Sequence, residues 1–240
     1  MTTWTPDAVA SSRRESDLQI WRAVEAQHVA STMRLVDSLE EQRTLEALLD
    51  EAKPRLAASL EGLHYLLAAP FRYRPPAPGS RFRGPDDPGV FYGAEHIRTA
   101  CAEMGWWRWR GFIAEAPGLP PLPPVGFTIF PVQVRDSSVD LRRPPLDRDR
   151  KRWMHPTDYG PTQAFARVAR DAGVGMLLYA SVRDPQHGAC AAVLRPQAFH
   201  RFQPTRAQTW QLVVGATRVS WLRAGEEGYS FEVAEWRIDR

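Results

Sequence analysis

A leucine repeat in residues 18–67 gives way to short apolar segments separated by proline and glycine, and this change most constrains the fold. The leucines recur at three- and four-residue steps with charges between them, as on an amphipathic helix. They are Leu35, Leu39, Leu45, Leu48, Leu49, Leu56, Leu60 and Leu63. Residues 70–88 are rich in proline and glycine and end this helical part. Helices segregated from short strands predict an α+β fold, and they disfavour a doubly wound sheet.

The remaining segments predict individual elements. Strands are predicted at 89–92, 126–134, 176–182 and 190–194, with 210–222 and 229–238 as an antiparallel pair. Helices are predicted at 95–109 and 158–171, and an extended connector at 117–124. Residues 71–74 and 80–83 alternate aromatic and basic side chains, as short strands would. Residues 1–17 are polar and predict a frayed tail.

The chain of 240 residues is long enough for one sizeable domain with an appendage. We predict an N-terminal tail and helical extension over residues 1–67 and the functional domain over residues 68–240, forming one compact unit. The extension either supports the core or offers a surface for self-association or for a regulatory partner.

Composition argues against several classes of protein. No apolar run approaches the roughly 20 residues that cross a bilayer, and residues 1–17 lack a secretory pattern. We therefore expect a cytoplasmic protein without a membrane partner. The net charge is +3, and basic residues of segment 140–152 alternate with aspartates, as in a solvated loop. This pattern does not indicate a nucleic-acid groove.

Cysteine and glycine patterns exclude further kinds of site. Cys101 and Cys190 have neither a disulfide framework nor metal-ligand spacing, and their small apolar neighbours predict buried free thiols. The six histidines are scattered, so we expect no metal site. The sequence contains no GxGxxG, GxxxxGK[ST] or GxSxG motif, which disfavours a Rossmann turn, a P-loop and a nucleophile elbow.

Four polar residues in apolar, turn-bounded segments carry the functional signal. Tyr92 lies eleven residues after Arg81, and Glu103 lies eleven residues after Tyr92. A strand–turn–strand followed by a helix would bring these three side chains to one cleft. Ser181, at the end of a later buried strand, would complete the site.

The four side chains suit cleavage of the nicotinamide–ribose bond of NAD. The nicotinamide leaving group is already cationic, so a carboxylate such as Glu103 need only stabilise the oxocarbenium-like ribose. Arg81 would bind the pyrophosphate bidentately, and Tyr92 would stack on nicotinamide. The Ser181 hydroxyl would hold the carboxamide or a ribose hydroxyl. If inorganic phosphate attacks the ribose, a second cation is needed, and Arg183, Arg83 and Arg74 are the candidates in that order.

Each of the four residues also has an ordinary structural interpretation. Arg81 stands near Asp86 and Asp87, as in a loop salt bridge, and Tyr92 lies in an apolar strand. Glu103 alone would be a charge on a helix surface. Ser181 would be a turn former. The functional hypothesis therefore rests on the four residues together.

These segments resemble the RES family, which is named for its arginine, glutamate and serine. Residues 79–103 are similar to its Gly/Ser-Arg-aromatic element, Val-x-Tyr strand and Ala-x-x-Glu helix. Residues 179–183 resemble its serine motif, and residues 162–166 resemble the preceding helix. A weaker similarity at residues 20–22 suggests that the domain begins there, with residues 25–67 as the extension of a longer subfamily. Residues 190–196 depart from the family's asparagine-containing pattern, which affects the substrate contacts expected there.

The resemblance implies an ADP-ribosyltransferase-like mixed β core with helices and an activity that degrades NAD by phosphorolysis or hydrolysis. It also implies the toxin of a bacterial toxin–antitoxin pair, neutralised by a partner that occludes the active site. Carried over by position, Arg81, Tyr92, Glu103 and Ser181 are the catalytic and NAD-binding residues. NAD is then a substrate, phosphate an optional co-substrate, and no prosthetic group is expected.

Two other functions stay open at this level. A protein mono-ADP-ribosyltransferase would use the same site, but it would need a second carboxylate just before the catalytic one. The residue two positions before Glu103 is Cys101, which argues against arginine modification. A non-enzymatic nucleotide-binding or interaction module is the third hypothesis, and the presence of all four polar residues argues against it.

Overall fold

A computed structural model describes residues 4–26, 38–51, 54–55, 57–114, 123–201 and 203–236. Within them, six α-helices run over Pro6–Ala10 (α1), Leu39–Glu51 (α2), Tyr65–Arg72 (α3), Ile97–Trp109 (α4), Arg150–Trp153 (α5) and Gly160–Asp171 (α6). The first four strands are Arg14–Glu25 (β1), Phe91–Ala94 (β2), Val125–Asp140 (β3) and Met176–Ala180 (β4). The others are Ala189–Val193 (β5), Gln208–Val214 (β6), Arg218–Leu222 (β7) and Tyr229–Glu232 (β8).

The strands form one mixed sheet in the order β1-β2-β5-β4-β3-β6-β7-β8. Strand β1 also pairs antiparallel with β3, so that β1, β2, β5, β4 and β3 form a closed ring. Strands β6, β7 and β8 extend the sheet beyond the ring, and we call them the hairpin extension. The long strand β3 joins it to the ring, because residues 125–129 pair with β6 while residues 138–140 pair in parallel with β4. The fold is α+β, as the sequence predicted.

The ring is weakest between β1 and β2. A single residue pair, Trp21 and Ala94, joins these two strands, whereas β1 and β3 pair over residues 14–25. Strands that separate after one pair leave room for side chains between them. The candidate site lies beside this gap.

Helix α4 packs closely against the hairpin extension because its buried face is made of small residues and tryptophans. The buried residues are Thr99, Ala100, Cys101, Ala102, Gly105, Trp106 and Trp109. A side chain at position 105 would press on Val219 and on the indole of Trp221. The indole of Trp221 donates a hydrogen bond of 3.0 Å to the carbonyl of Cys101. These contacts fix the helix that carries Glu103.

The N-terminal prediction is wrong for residues 4–25. In place of a frayed tail and a helix, the chain forms the short helix α1 and the strand β1. Trp4 is 6% exposed and Val9 is fully buried, both in the cluster that packs on α6. Strand β1 pairs with β3 along its full length, and this long-range pairing overrides local pattern. The predicted boundary at residue 67 therefore does not separate β1 from the sheet.

Several other predictions are confirmed or adjusted. The predicted helices at 95–109 and 158–171 and the strands at 89–92, 126–134, 176–182 and 190–194 are confirmed, with ends shifted by a few residues. The strand predicted at 71–74 is wrong, since α3 extends through Arg72. At 80–83 the chain makes a turn with a single bridge. The stretch 210–222 is a hairpin of two strands, and β8 pairs with β7.

Parts of the predicted leucine repeat and connector lie outside the described residues, at 27–37 and 115–122. Helix α2 confirms a helix within the described part of the repeat. No helix of the described chain is long and apolar enough to span a bilayer.

Candidate active site

A cavity of about 240 Å³ opens beside the gap between β1 and β2, under helix α4. Its polar lining residues come from six parts of the chain: Arg22, Ser80, Arg81, Tyr92, Glu103, Tyr159, Tyr179 and Arg183. The apolar lining includes Trp21, Met104 and Trp107. Three arginines and one carboxylate thus share a pocket with several aromatic rings.

The turn at residues 79–84 places Arg81 at the cavity. Ser80 and Arg83 form an antiparallel bridge, with a hydrogen bond of 2.7 Å from the Ser80 amide to the Arg83 carbonyl. Gly79 has φ +90 and lies so close to the Arg83 carbonyl that no side chain would fit. The Tyr92 hydroxyl accepts a hydrogen bond of 2.9 Å from the Phe82 amide and lies 2.8 Å from Ser80 Oγ. Tyr92 therefore holds the turn, and Arg81 and Tyr92 lie together as predicted.

The Arg81 side chain is held on one side and open on the other. Its Nη1 donates hydrogen bonds to the carbonyls of Trp153 (2.9 Å) and His155 (3.0 Å). The guanidinium lies 4.9 Å from the centre of the Tyr159 ring, a cation–π contact. Within the described chain, neither Nε nor Nη2 has a protein acceptor. That edge of the fork matches the two oxygens of a phosphate.

Arg183 is the second cation of the site. It is 3% exposed, and its guanidinium lies 3.4 Å from the centre of a Trp106 ring. Its Nη2 donates to the Pro156 carbonyl and lies 3.4 Å from the Tyr159 hydroxyl. Burial lowers the pKa of Arg183, but an arginine remains protonated at neutral pH. Tyr159 thus contacts both arginines, one with its ring and the other with its hydroxyl.

Arg22 on β1 is the third arginine. Its Nη1 donates a hydrogen bond of 2.9 Å to the Tyr92 carbonyl, and its guanidinium lies over the Phe91 ring at 4.7 Å. Burial lowers its pKa to about 10, so the group is charged at neutral pH. The buried Nε has no hydrogen-bond partner among the described residues.

Glu103 faces this basic cavity from α4. Its Oε1 accepts a hydrogen bond of 2.6 Å from the Ser181 hydroxyl. Ser181 directly follows β4 and is fully buried, so it lies behind the carboxylate instead of lining the cavity. Its oxygen also accepts from the amides of Arg183 (3.1 Å) and Asp184 (2.9 Å). A hydroxyl has one donor and two acceptor positions, and all three are used here.

The two remaining predicted phosphate residues lie elsewhere, which corrects their proposed role. Arg83 is buried, but it donates to the carbonyls of Pro70 (3.1 Å) and Asp87 (3.2 Å) and does not line the cavity. These hydrogen bonds join the 79–84 turn to Pro70 and Asp87, away from the cavity. Arg74 is an exposed side chain that lies 3.9 Å from Asp86. Of the three candidates that the sequence offered, the first-ranked Arg183 lines the cavity and the other two do not.

Burial keeps two tyrosine and two cysteine side chains near the site neutral at neutral pH, because it raises the pKa of each. Burial raises the pKa of Tyr92 and, more strongly, that of Tyr179. Cys101 and Cys190 are buried free thiols, as predicted, and burial raises both pKa values. Across the described ranges, no three His, Cys, Asp or Glu side chains are grouped so that they could hold a metal ion.

Sequence reasoning missed Arg22 and Tyr159 as parts of the site. The leucine repeat predicts a helix over residues 18–25, and a helix there gives no reason to place Arg22 at the site. The apolar Leu18, Ile20 and Val24 recur at even steps, which is the strand signal that would have exposed it. Tyr159 precedes the α6 motif Gly160–Pro161, and no local pattern marks it as a contact of two distant arginines.

Comparisons with known proteins agree with this architecture. The model of the RES domain family matches residues 54–214. No curated protein matched the sequence. Among solved structures, the chain is similar to one described as the crystal structure of the M. tuberculosis MbcT–MbcA toxin–antitoxin complex, with a TM-score of 0.50 and 14% identity. That similarity covers 86% of this chain and 89% of the other, and at this identity it shows the fold alone. Because the family model matches well over half of its residues, the chain belongs to the RES domain family.

Proposed function

We propose that the protein cleaves the nicotinamide–ribose bond of NAD. The observation that carries this proposal is the cavity in which the Glu103 carboxylate faces the guanidinium groups of Arg81 and Arg183. A dinucleotide with a pyrophosphate and a cationic leaving group matches that combination of charges.

The carboxylate stabilises the charge that develops on the ribose. The bond between the ribose C1′ and the nicotinamide nitrogen breaks, and its electron pair neutralises the pyridinium ring. No general acid is needed to expel this leaving group. The positive charge passes to an oxocarbenium-like ribose, which the Glu103 carboxylate stabilises at close range.

The two cavity arginines bind the phosphates. The open edge of Arg81 receives one phosphate bidentately, since its other edge is fixed by two backbone carbonyls. Arg183 supplies a second positive charge for the other phosphate of the dinucleotide or for inorganic phosphate. The Tyr92 hydroxyl is engaged with the turn, so Tyr92 offers only its ring to the substrate.

Ser181 acts on the substrate through Glu103. The sequence suggested that its hydroxyl holds the carboxamide or a ribose hydroxyl, but all three of its hydrogen-bonding positions are occupied. In our proposal Ser181 orients the carboxylate.

An oxygen nucleophile completes the reaction at C1′. Attack by inorganic phosphate forms ADP-ribose-1″-phosphate, and attack by water forms ADP-ribose with release of a proton. Both routes use NAD as a substrate and need no prosthetic group.

We further propose that the protein is a toxin of a toxin–antitoxin pair and acts on the cytoplasmic NAD pool. Membership of the RES family and the likeness to a structure described as a toxin–antitoxin complex support this. A partner that covers the cavity would exclude NAD. Trp107 lines the cavity and is 45% exposed, so its ring offers an apolar contact at the entrance.

The decisive experiment incubates the purified protein with NAD, with and without inorganic phosphate, and separates the products by chromatography and mass spectrometry. Release of nicotinamide with ADP-ribose-1″-phosphate, dependent on phosphate, identifies a phosphorylase. ADP-ribose in both reactions identifies a glycohydrolase.

Two variants control the assignment. Glu103→Gln should lower the rate of product formation by about a hundredfold or more, whereas Glu235→Gln, which changes an exposed carboxylate outside the cavity, should leave it at the parent rate. Intact NAD in every parent reaction would overturn the proposal. Transfer of labelled ADP-ribose to added protein in place of free product would assign the same site to protein modification.

A further inference from the structure

A buried aspartate lies in the turn that carries Ser181. This turn joins β4 to β5 and is closed by a hydrogen bond of 2.8 Å from the Ser181 amide to the Gly188 carbonyl. Asp184 lies inside the turn and is 1% exposed. It does not line the cavity that contains Glu103. A buried carboxylate is costly unless it is paired and hydrogen-bonded, so its partners show what it does.

The side-chain partners of Asp184 come from the first turn of α4. Oδ2 accepts a hydrogen bond of 2.8 Å from Thr99 Oγ1, and Oδ1 accepts hydrogen bonds from Arg98 Nη1 and, at 3.1 Å, from the Gln186 amide. Thr99 is 2% exposed, so this hydrogen bond is shielded from water. The carboxylate therefore ties the start of the helix to the turn after β4.

The turn after β4 makes a second contact with α4, one helical turn beyond Thr99. Thr99 precedes Glu103 by four residues, which places both side chains on one face of α4. Thr99 bonds to Asp184, and Glu103 bonds to Ser181. Asp184 and Ser181 are themselves joined, because the Asp184 amide donates a hydrogen bond of 2.9 Å to Ser181 Oγ. Three hydrogen bonds thus link the four residues in a chain, and the α4 backbone between Thr99 and Glu103 closes it into a loop.

Gly188 allows the turn after β4 to approach Thr99 closely. A side chain at position 188 would collide with Thr99 Oγ1 and press on the Asp184 carboxylate. His187, with φ 50, turns the chain beside it, and its Nδ1 lies 2.9 Å from the Ser181 carbonyl. The turn thus has the shape needed to receive the threonine hydroxyl.

We propose that Thr99 and Asp184 are positioning residues that set the place of the Glu103 carboxylate through Ser181. This inference rests on the proposed cleavage of NAD. The Thr99–Asp184 hydrogen bond fixes the rotation and height of α4 relative to the Ser181 turn. Without it, the partly exposed Arg98 still pairs with Asp184, but the buried hydrogen bond between helix and turn is gone, so α4 shifts relative to the turn and the Ser181–Glu103 hydrogen bond is lost. The affinity for NAD, set by the cavity arginines, stays the same.

The test uses Thr99→Val, which keeps the shape and removes the hydroxyl, and Thr99→Ser, which keeps the hydroxyl. Thr44→Val is the matched control, because Thr44 is an exposed helical threonine of α2. Thr99→Ala serves in place of valine if the valine variant does not fold. The turnover rate kcat and KM for NAD are measured, together with crystal structures of the folded variants.

We expect Thr99→Val to lower kcat about tenfold or more with KM within about twofold of the parent, because small misplacements of a reacting group are costly. Its structure should show Ser181 Oγ and Glu103 Oε1 beyond hydrogen-bond distance. Thr99→Ser and Thr44→Val should match the parent in both measurements.

Three results would overturn the proposal: an unchanged Ser181–Glu103 hydrogen bond in Thr99→Val, a parental kcat in that variant, or a rise in KM alone. The structural measurement needs no NAD. If the parent protein fails to consume NAD, the proposed function fails, while the position of Glu103 in Thr99→Val still decides the positioning role.

Discussion

Ser181 donates a hydrogen bond of 2.6 Å to Glu103 from a position 78 residues further along the chain. The serine oxygen also receives two backbone amides, so its proton is directed to the carboxylate. The turn after β4 therefore positions this carboxylate together with the helix that carries it.

Glu103→Gln should reduce the rate of NAD consumption by about a hundredfold or more, because the amide cannot stabilise a developing positive charge. The amide oxygen still accepts the hydrogen bond from Ser181, so circular dichroism and the melting temperature should stay close to those of the parent. A variant that consumes NAD at the parent rate would show that Glu103 is not the stabilising group.

Arg81→Lys should raise KM for NAD about tenfold or more, because lysine has no fork to hold two carbonyls and a phosphate together. Arg74→Lys is the matched control, since Arg74 is exposed and outside the cavity, and its KM should not change. Steady-state kinetics at constant ionic strength checks both. An unchanged KM in Arg81→Lys would remove Arg81 from phosphate binding.

Arg83→Lys should affect stability and not substrate affinity. The buried Arg83 side chain bridges the carbonyls of Pro70 and Asp87, and lysine cannot reproduce both contacts. We expect the free energy of unfolding to fall by about 1–3 kcal/mol, measured by denaturant titration. KM for NAD, assayed well below the melting temperature, should equal that of the parent. A rise in KM comparable to that of Arg81→Lys would return Arg83 to the binding site.

Tyr159 offers a test of how the two cavity arginines are held. Tyr159→Phe keeps the ring under Arg81 and loses only the 3.4 Å contact to Arg183, so KM should change by less than about threefold. Tyr159→Leu removes the aromatic face and should raise KM further, by about tenfold. Equal KM values for the two variants would show that the cation–π contact does not position Arg81.

Asp136 should make the stability depend on pH in the acid range. Burial opposes its ionisation, but hydrogen bonds from Arg195 and from the Ser137 amide outweigh burial and hold its pKa below the usual value. A carboxylate with a lowered folded-state pKa stabilises the fold above its unfolded-state pKa of about 3.9, and this is lost as pH falls through the folded-state pKa.

Denaturant unfolding of Asp136→Asn should therefore show a lower free energy than the parent at pH 7. The difference should shrink at pH 3 and below. Asp86→Asn, at a carboxylate that is 94% exposed, is the control and should follow the parent at both pH values. A difference that stays constant from pH 7 to pH 2.5 would contradict the lowered pKa.

Local pattern predicted much of the fold after residue 88. Helix α6 has a proline in its first turn and Gly173 just after its end, and β4 and β5 are short apolar runs. Strand β1 was missed because its register with β3 is a long-range contact between residues more than a hundred positions apart. The alternation of Leu18, Ile20 and Val24 is a weak local signal, and pairing with a distant strand makes residues 14–25 extended.

The sequence by itself determined the family and the α+β class, and it predicted Arg81, Tyr92, Glu103 and Ser181 as the site, because these depend on residue order and local setting. Tertiary structure alone decided which further arginines reach the cavity and what each hydroxyl does. Arg22 and Arg183 enter, whereas Arg83 and Arg74 do not. Ser181 bonds to Glu103 instead of facing the cavity. The physical reason is that these contacts join segments that are far apart in the sequence and meet only when the sheet closes. No local sequence pattern specifies the distances between their side chains.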